Sequence, residues 1–524
     1  MSDRVTFKRR VVASSAVVAG SLAVASVASA APPIDTAPLR EAVTVAGITE
    51  HQAALEAIAN ANLFEGIPTR ATGTPGHEAS VAYVVSKMRA AGYNVSLQPF
   101  EADIFFEQAP AVFAQVAPNP TTYPRYDGQD GVWYTADFSG DGDVTRAAVA
   151  VDFVEPTAQA STSSSGCETS DFGPEVVDRI VLLQRGSCDF GLKVENAQAA
   201  GAVGAVIFNE GTIGAPDRNG IIIPTLAGYD AQIPVIGTDY ATGRSLVDLS
   251  RTATGVTLRV KVDGFVNEDV VTNNVIAETP GGRADRTVVV GGHLDSVYEG
   301  PGINDDGSGV SMMLETAEQM AATGFTPRNK VRFIFFSGEE QGLLGSAHYV
   351  SQLSPRQVKD ISVMLDFDML ASGNYGRFIY DGNGDEQGVA GPNGSGVVEQ
   401  VFKDWYDSQG LAYETIPFDG RSDYDAFTGV GIPAGGIFAG AEQVKTPAQV
   451  ALYGGTAGIA FDPCYHQLCD TLANLNLMGL AEHKDAAVHA IATFAQTTSA
   501  VNGTGKASST ATKSWDWKGD KLVR

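Results

Sequence analysis

The sequence predicts an α/β fold: a central sheet with helices on both faces, interrupted by a second, strand-rich unit. Two observations predict it. From Asn274 onward, short apolar runs alternate with segments of helical periodicity. Between about residues 141 and 263 the texture changes to short apolar runs separated by Gly, Pro and Asp turns. The 524 residues suffice for two or three domains with their own cores. A hydrophobic share of 44 % with 58 glycines fits a loop-rich globular chain.

The elements follow in order. Arg4, Lys8, Arg9 and Arg10 precede an apolar stretch over residues 11–27 and the small residues Ala28-Ser29-Ala30. This is the pattern of a secretory signal peptide over 1–30, too broken by Ser and Gly for an anchor. No other stretch is long and apolar enough to span a bilayer, so the mature chain is expected outside the cell and off the membrane. Residues 36–66 read as helical. Residues 80–91 carry apolar side chains at helical spacing, and Gly92 stops them. Residues 95–100 alternate as a strand. Within the interrupting unit, 180–183, 205–208 and 256–262 read as strands and 193–200 as the one helix. Beyond it, 287–290, 330–336, 363–368 and 435–438 read as strands. Residues 310–323 form a helix with Met313, Ala317 and Met320 on one face. The chain shows no internal repeat, and residues 501–524 read as a flexible tail.

A net charge of −26 disfavours nucleic acid, whose phosphates require a basic face. The four cysteines, Cys167, Cys188, Cys464 and Cys469, all follow the leader. An even count in an exported chain predicts two disulfides. Of the possible pairings, the neighbours Cys167–Cys188 and Cys464–Cys469 are preferred. The spacings lack the paired CxxC units of a thiolate zinc site.

Five segments carry the chemistry: GGHLDSV, GPGINDDGSG, FSGEEQGLLGS, LDFDML and CYHQLCD. They supply His293 and Asp295, Asp305 and Asp306, Glu339 and Glu340, Asp368, and His466. Three of them follow apolar strand-like runs, and ligand sites of open α/β sheets lie beyond the carboxyl ends of strands. Imidazoles and carboxylates are the donors zinc accepts, with a position left for water. Two zinc ions ~3.5–4 Å apart can share a bridging carboxylate and act as a hydrolytic centre. A further carboxylate must then move the proton. Glu339 and Glu340, if extended, point opposite ways, one to metal and one to water. Asp295, two residues after His293, is placed to orient the imidazole. Taken singly, DDGSG reads as a turn and SGEE as a helix start; the joint occurrence carries the argument. His51, His77, His348, His483 and His489 lack such context and read as surface or core histidines.

These segments resemble the co-catalytic zinc aminopeptidases, the secreted bacterial leucine aminopeptidases above all. Their superfamily includes glutamate carboxypeptidase and the transferrin receptor ectodomain. The resemblance covers about 31–140 and 264–500 and implies a mixed central sheet. It implies two zinc ions, with His293 and Asp368 on one, Glu340 and His466 on the other, and Asp305 between them. It makes Glu339 the general base and acid, and it implies a cis peptide at Asp305-Asp306. GRSDYDAF resembles the family stretch whose arginine, here Arg421, helps hold substrate. Tyr465 resembles the tyrosine that stabilises the oxyanion. Glu339 and Asp368 would meet the substrate α-amine. The Cys464–Cys469 bridge would fix the loop that presents Tyr465 and His466.

Residues 177–210 and 233–246 resemble the protease-associated (PA) domain, through Arg185-Gly186-Ser187-Cys188, Phe190, Asn196-Ala197 and Gly201-Ala202. The insert is expected over 141–263. The implied protein is a secreted, monomeric, zinc-dependent aminopeptidase acting on the N-termini of peptides or proteins. Calcium is left open. A carboxypeptidase would need a basic cluster beyond Arg421, and a metal-free binding ectodomain would lack this ligand set.

Overall fold

The structure is a computed structural model describing residues 34–502 apart from 127–130, 158–162, 214–217 and 227. The leader over 1–30 and the tail beyond Asn502 lie outside the described residues. The strands are β1 (Asn94–Ala117), β2 (Thr121–Thr122), β3 (Trp133–Thr135), β4 (Gly142–Ala150), β5 (Ile180–Gln184), β6 (Gly204–Phe208), β7 (Val235–Thr238), β8 (Thr257–Glu278), β9 (Arg283–His293), β10 (Asn329–Phe336), β11 (Ile361–Phe367), β12 (Phe378–Tyr380), β13 (Glu414–Ile416) and β14 (Ala434–Phe438). The helices are α1 (Ala37–Ala42), α2 (Val45–Ala61), α3 (Pro75–Ala90), α4 (Phe190–Ala199), α5 (Tyr240–Ser250), α6 (Gly307–Ala322), α7 (Leu344–Ser351), α8 (Pro355–Asp360), α9 (Ser395–Gln409), α10 (Tyr424–Gly429), α11 (Pro447–Tyr453), α12 (Leu477–Gln496) and α13 (Ser499–Asn502).

The strand order is β13-β12-β14-β11-β9-β10-β8-β4-β5-β6-β7-β3, with β1 on β8 and β2 on β1. β10, β9, β11 and β14 run parallel. Their apolar runs are continuous because both faces are buried. Val288 and Val290 pack with Leu314 of α6 and Ile491 of α12 on one face. Val289 and Phe336 pack with Tyr349 of α7 and Phe427 of α10 on the other. This is the mixed sheet with helices on both faces. Among the described residues no helix is long and apolar enough to cross a membrane.

Within the interrupting unit the sheet continues as β4 to β7 in parallel, with β3 antiparallel on β7. Its two faces bury separate cores around Leu182 and Leu183. β3 lies ahead of residue 141, and β8 runs unbroken through residue 263. β8 and β1 pair antiparallel from Asn94↔Glu278 to Ala117↔Thr257 and so join both parts of the molecule. Both disulfides pair as expected, Cys167 with Cys188 and Cys464 with Cys469.

Several elements differ from the sequence reading. The expected helix over 36–66 is two helices, because Val43 and Thr44 turn extended and the Thr44 side chain caps α2 at Gly47 N. α3 starts at Pro75, whose fixed φ suits a first helical position behind the Thr74 cap. α4 starts at Phe190 rather than 193. α5 is a second helix in the insert; Asp239 caps it by accepting from Thr242 N at 2.6 Å. β1 and β8 extend far beyond the expected short strands, since register shifts along their ladder and the polar run Asn267-Glu268-Asp269 interrupt the alternation.

α6 packs tightly on the chain leaving β11: a Cβ on Gly309 would stand 1.9 Å from the Phe367 carbonyl oxygen. Gly309→Ala is therefore expected to destabilise the fold by about 1–3 kcal/mol, read as a lower melting temperature. An unchanged melting temperature would mean that α6 can withdraw from β11 freely.

Candidate metal centre

Parallel register sets the first half of the site. His293, the last residue of β9, pairs with Phe336 of β10. β11 pairs Asp366 with Gly291, which brings Asp368 level with His293. The glutamates follow directly on β10. All three segments thus leave the sheet at one edge. Asp305 comes from the loop before α6. His466 comes from the loop closed by Cys464–Cys469, with a left-handed φ of 56°. Its ring stacks on Tyr465 with centroids 3.8 Å apart.

The five expected ligands line one cavity. Asp305 Oδ1 lies 3.1 Å from His293 Nε2, and its Oδ2 lies 3.2 Å from His466 Nε2. Glu340 Oε2 is 3.2 Å from His466 Nε2. Asp368 Oδ1 and Glu339 Oε2 are 3.6 and 4.0 Å from His293 Nε2. The Asp305-Asp306 peptide is cis.

The donor set fits zinc. Each imidazole Nε2 faces carboxylate oxygens of more than one residue, an acceptor-rich arrangement that only cations balance. Burial lowers the His466 pKa, but the Glu340 charge and the bond to Asp305 outweigh it and raise the value to about 10. Burial likewise opposes the charge on His293, yet Glu339 and Asp368 push its pKa well above the ordinary value. Asp368 Oδ1 is buried and takes no hydrogen bond. A dication satisfies such groups where protons alone do so poorly.

Two expectations change in detail. Glu339 and Glu340 are not extended: the amides of Gly342 and Leu343 both donate to the Glu339 carbonyl at 2.8 Å, making a turn. Both side chains line the cavity, and distance rather than alternation separates them. Asp295 meets His293 through its backbone carbonyl, 3.1 Å from Nδ1. Its carboxylate accepts the amides of Glu339 and Glu340, each at 3.3 Å. Asp295 thus clamps the glutamate turn, and burial raises its pKa to about 6.

Arg421 does not stand free. Its Nη1 pairs with Glu442 Oε1 at 2.7 Å, and its Nη2 donates to Tyr465 Oη at 3.1 Å. The phenol is thereby held at the cavity. Met369, Tyr380, Ile416 and Phe438 form an apolar wall, and Asp137 and Thr225 reach the same cavity from the side of the insert.

Three residues were missed in the sequence. Arg70 is fully buried. It donates to the carbonyls of Leu294, Pro301 and Gly302, tying the loop after His293 to the loop before Asp305. The Asp470 carboxylate accepts the amides of Asn304 and Asp305 at 2.8 and 3.0 Å. Asp470 directly follows Cys469, so its position beside His466 was a usable signal. Arg70 and Glu442 carry no spacing signal. Asp295→Asn, which loses one acceptor facing the glutamate amides, is expected to lower activity about 10- to 100-fold with the circular dichroism spectrum unchanged. Full activity would remove the clamp from the account.

Comparison with known proteins places this geometry. The pattern of Peptidase family M28 matches residues 274–491, and that of the PA domain matches residues 145–246. An aminopeptidase of Pseudomonas aeruginosa is 44 % identical over 427 residues, 81 % of this chain and 76 % of that protein. Leucine aminopeptidase 2 of Trichophyton equinum is 37 % identical over 434 residues, 82 % of this chain and 80 % of its own length. Among solved structures, the aminopeptidase from Aneurinibacillus sp. strain AM-1 superposes with a TM-score of 0.63 at 25 % identity, covering 87 % of this chain and 95 % of that one. A zinc aminopeptidase from Bacillus subtilis shares the fold, with a TM-score of 0.52 at 22 % identity over 88 % of this chain and 95 % of that one. The chain belongs to the aminopeptidases of peptidase family M28 and carries a PA domain set into the peptidase fold.

Proposed function

We propose that this protein is a secreted aminopeptidase that binds two zinc ions, His293 and Asp368 on one, Glu340 and His466 on the other, with Asp305 between them. The observation that carries the reading is Asp305, with one carboxylate oxygen toward each imidazole at 3.1 and 3.2 Å. When bound, the zinc pair supplies Lewis acidity at neutral pH. The chain's own residues do the rest.

Glu339 lies in the cavity, 4.0 Å from His293 Nε2. Burial, together with the charges of Glu340 and Asp368, pushes its pKa well above the carboxylate range. A carboxylate so placed takes a proton from the attacking water and returns it to the leaving amine. Glu339 and Asp368 also receive the α-amine of the substrate. Tyr465, whose oxygen accepts from Arg421, keeps its own proton to donate to the developing oxyanion. The substrate's first side chain rests on Met369, Tyr380, Ile416 and Phe438, which suits an apolar residue. The leader over 1–30 supports export. The insert, which we bound at 141–263, acts as a wall limiting entry of long peptides, supported by Thr225 in the cavity lining.

Glu339→Gln is expected to lower kcat about 10²- to 10⁴-fold with zinc content intact. Glu340→Gln should lose zinc as well as activity. Wild-type turnover in Glu339→Gln would remove its assigned role. Leucine anilides should be cleaved faster than glutamate anilides, and N-acetylated peptides not at all; release of residues from acetylated peptides would instead favour a carboxypeptidase. Deleting the insert should raise the rate on long peptides relative to dipeptides, and equal effects on both would sink the wall.

A further inference from the structure

His51, read from sequence as an ordinary core or surface histidine, sits in a second group of metal-binding donors away from the cavity. His51 on α2 is 3 % exposed and faces Glu315 and Glu318 on α6. Its Nε2 lies 4.0 Å from Glu315 Oε2 and 3.6 Å from Glu318 Oε2. One donor atom from each residue lies within 4.8 Å of the other two. These separations fall in the same range as the imidazole–carboxylate separations of the catalytic cavity, 3.1 to 4.0 Å. Ligand atoms about 2.0–2.2 Å from one zinc stand roughly 3.3–3.6 Å apart in a tetrahedron. The two imidazole–carboxylate separations are therefore close to those of ligands that share an ion. They are too far apart for the imidazole to be hydrogen-bonded to either glutamate.

The outer atoms of all three side chains are already held. Tyr83 Oη on α3 bonds His51 Nδ1 at 2.7 Å. Gln319 Nε2 donates to Glu315 Oε1 at 3.3 Å. Lys87 Nζ pairs with Glu318 Oε1 at 3.3 Å. Each partner takes the atom that faces away from the group and leaves the inner atom to the centre. Metal-binding histidines and carboxylates are oriented in this way, the second ring nitrogen or second oxygen being fixed by a neighbour. Gly47 makes room for the arrangement, since a Cβ there would lie 2.2 Å from Glu315 Oε1. Burial, partly opposed by Glu318, holds the His51 pKa below its ordinary value, so the neutral ring that a metal requires is present at neutral pH. The acidic group Asp381, Asp385 and Glu399 differs: backbone amides occupy both Asp381 oxygens, and Lys403 lies 2.5 Å from Glu399 Oε1.

We propose that His51, Glu315 and Glu318 form a separate site for one divalent ion of the zinc class, with solvent as the fourth ligand. One nitrogen and two oxygens suit zinc better than calcium or magnesium, which take oxygen alone. The ion would pin α2 to α6, the helix that Asp306 caps immediately after Asp305. It is a structural site outside the cavity, so its removal leaves the catalytic ligands in place.

The test is zinc content per chain for the full-length protein equilibrated with the same excess of zinc chloride and then desalted. His51→Ala and the partly exposed Glu318→Gln should each hold one zinc fewer than the wild type and keep cleaving a leucine anilide. His466→Ala, which disables the catalytic centre, should still lose one zinc when combined with Glu318→Gln. That double variant separates failure of this site from failure of the catalytic assignment. Equal zinc content in wild type and Glu318→Gln overturns the proposal. A fall in zinc that comes with lost activity overturns it too, since the ion lost would then belong to the catalytic centre.

Discussion

The site depends on one carboxylate shared by two imidazoles. Asp305 presents Oδ1 to His293 and Oδ2 to His466, residues that come from a strand end and from a disulfide-closed loop. Holding both contacts requires the backbone of Asp305 to be fixed from two sides. Asp470 does so from the His466 loop by accepting the amides of Asn304 and Asp305. Arg70 does so from the other side by binding the carbonyls of Leu294, Pro301 and Gly302. A buried guanidinium with carbonyl partners also sets a positive charge among Asp295, Asp305, Asp306 and Asp470. Its charge offsets part of the negative charge that these carboxylates gather.

The sheet supplies what Asp305 cannot. Four parallel strands that end at one level deliver His293, the glutamate turn and Asp368 without any long-range loop. Asp306, next to the shared carboxylate, accepts both Gly309 N of α6 and Met369 N beyond β11. Asp306 therefore ties the helix, the strand end and the loop that carries Asp305 to one another. The long β1–β8 ribbon then extends the same sheet into the insert, so residues of that unit stand at the rim of the cavity on continuous backbone.

Most of this was legible in the sequence, for a physical reason. A buried parallel strand writes itself as an uninterrupted apolar run, and a metal ligand at its end is a polar residue with no freedom to drift. His293, Asp368 and the glutamates stand out in that way as candidate ligands and line one cavity, and the disulfide pair marks the His466 loop. What could not be read shares another cause. Arg70 acts on carbonyl oxygens, which every residue has, so no side-chain pattern betrays its partners. Glu442 and Arg421 meet only through tertiary packing. Asp295 lies beside His293 and offers its backbone carbonyl; spacing shows that a residue is near and not which group it offers. β1 and β8 read as short because register shifts along their ladder and the polar run Asn267-Glu268-Asp269 interrupt the two-residue period, and α5 is not read at all, its cap Asp239 lying in a turn-rich stretch.

The central claim is that Asp305 bridges two zinc ions. The most direct measurement is anomalous diffraction at the zinc edge from crystals of the zinc-loaded protein. The account predicts two peaks in the cavity ~3.5–4 Å apart, each within about 2.0–2.2 Å of a different Asp305 oxygen. A single cavity peak, or two peaks of which only one touches Asp305, would contradict it.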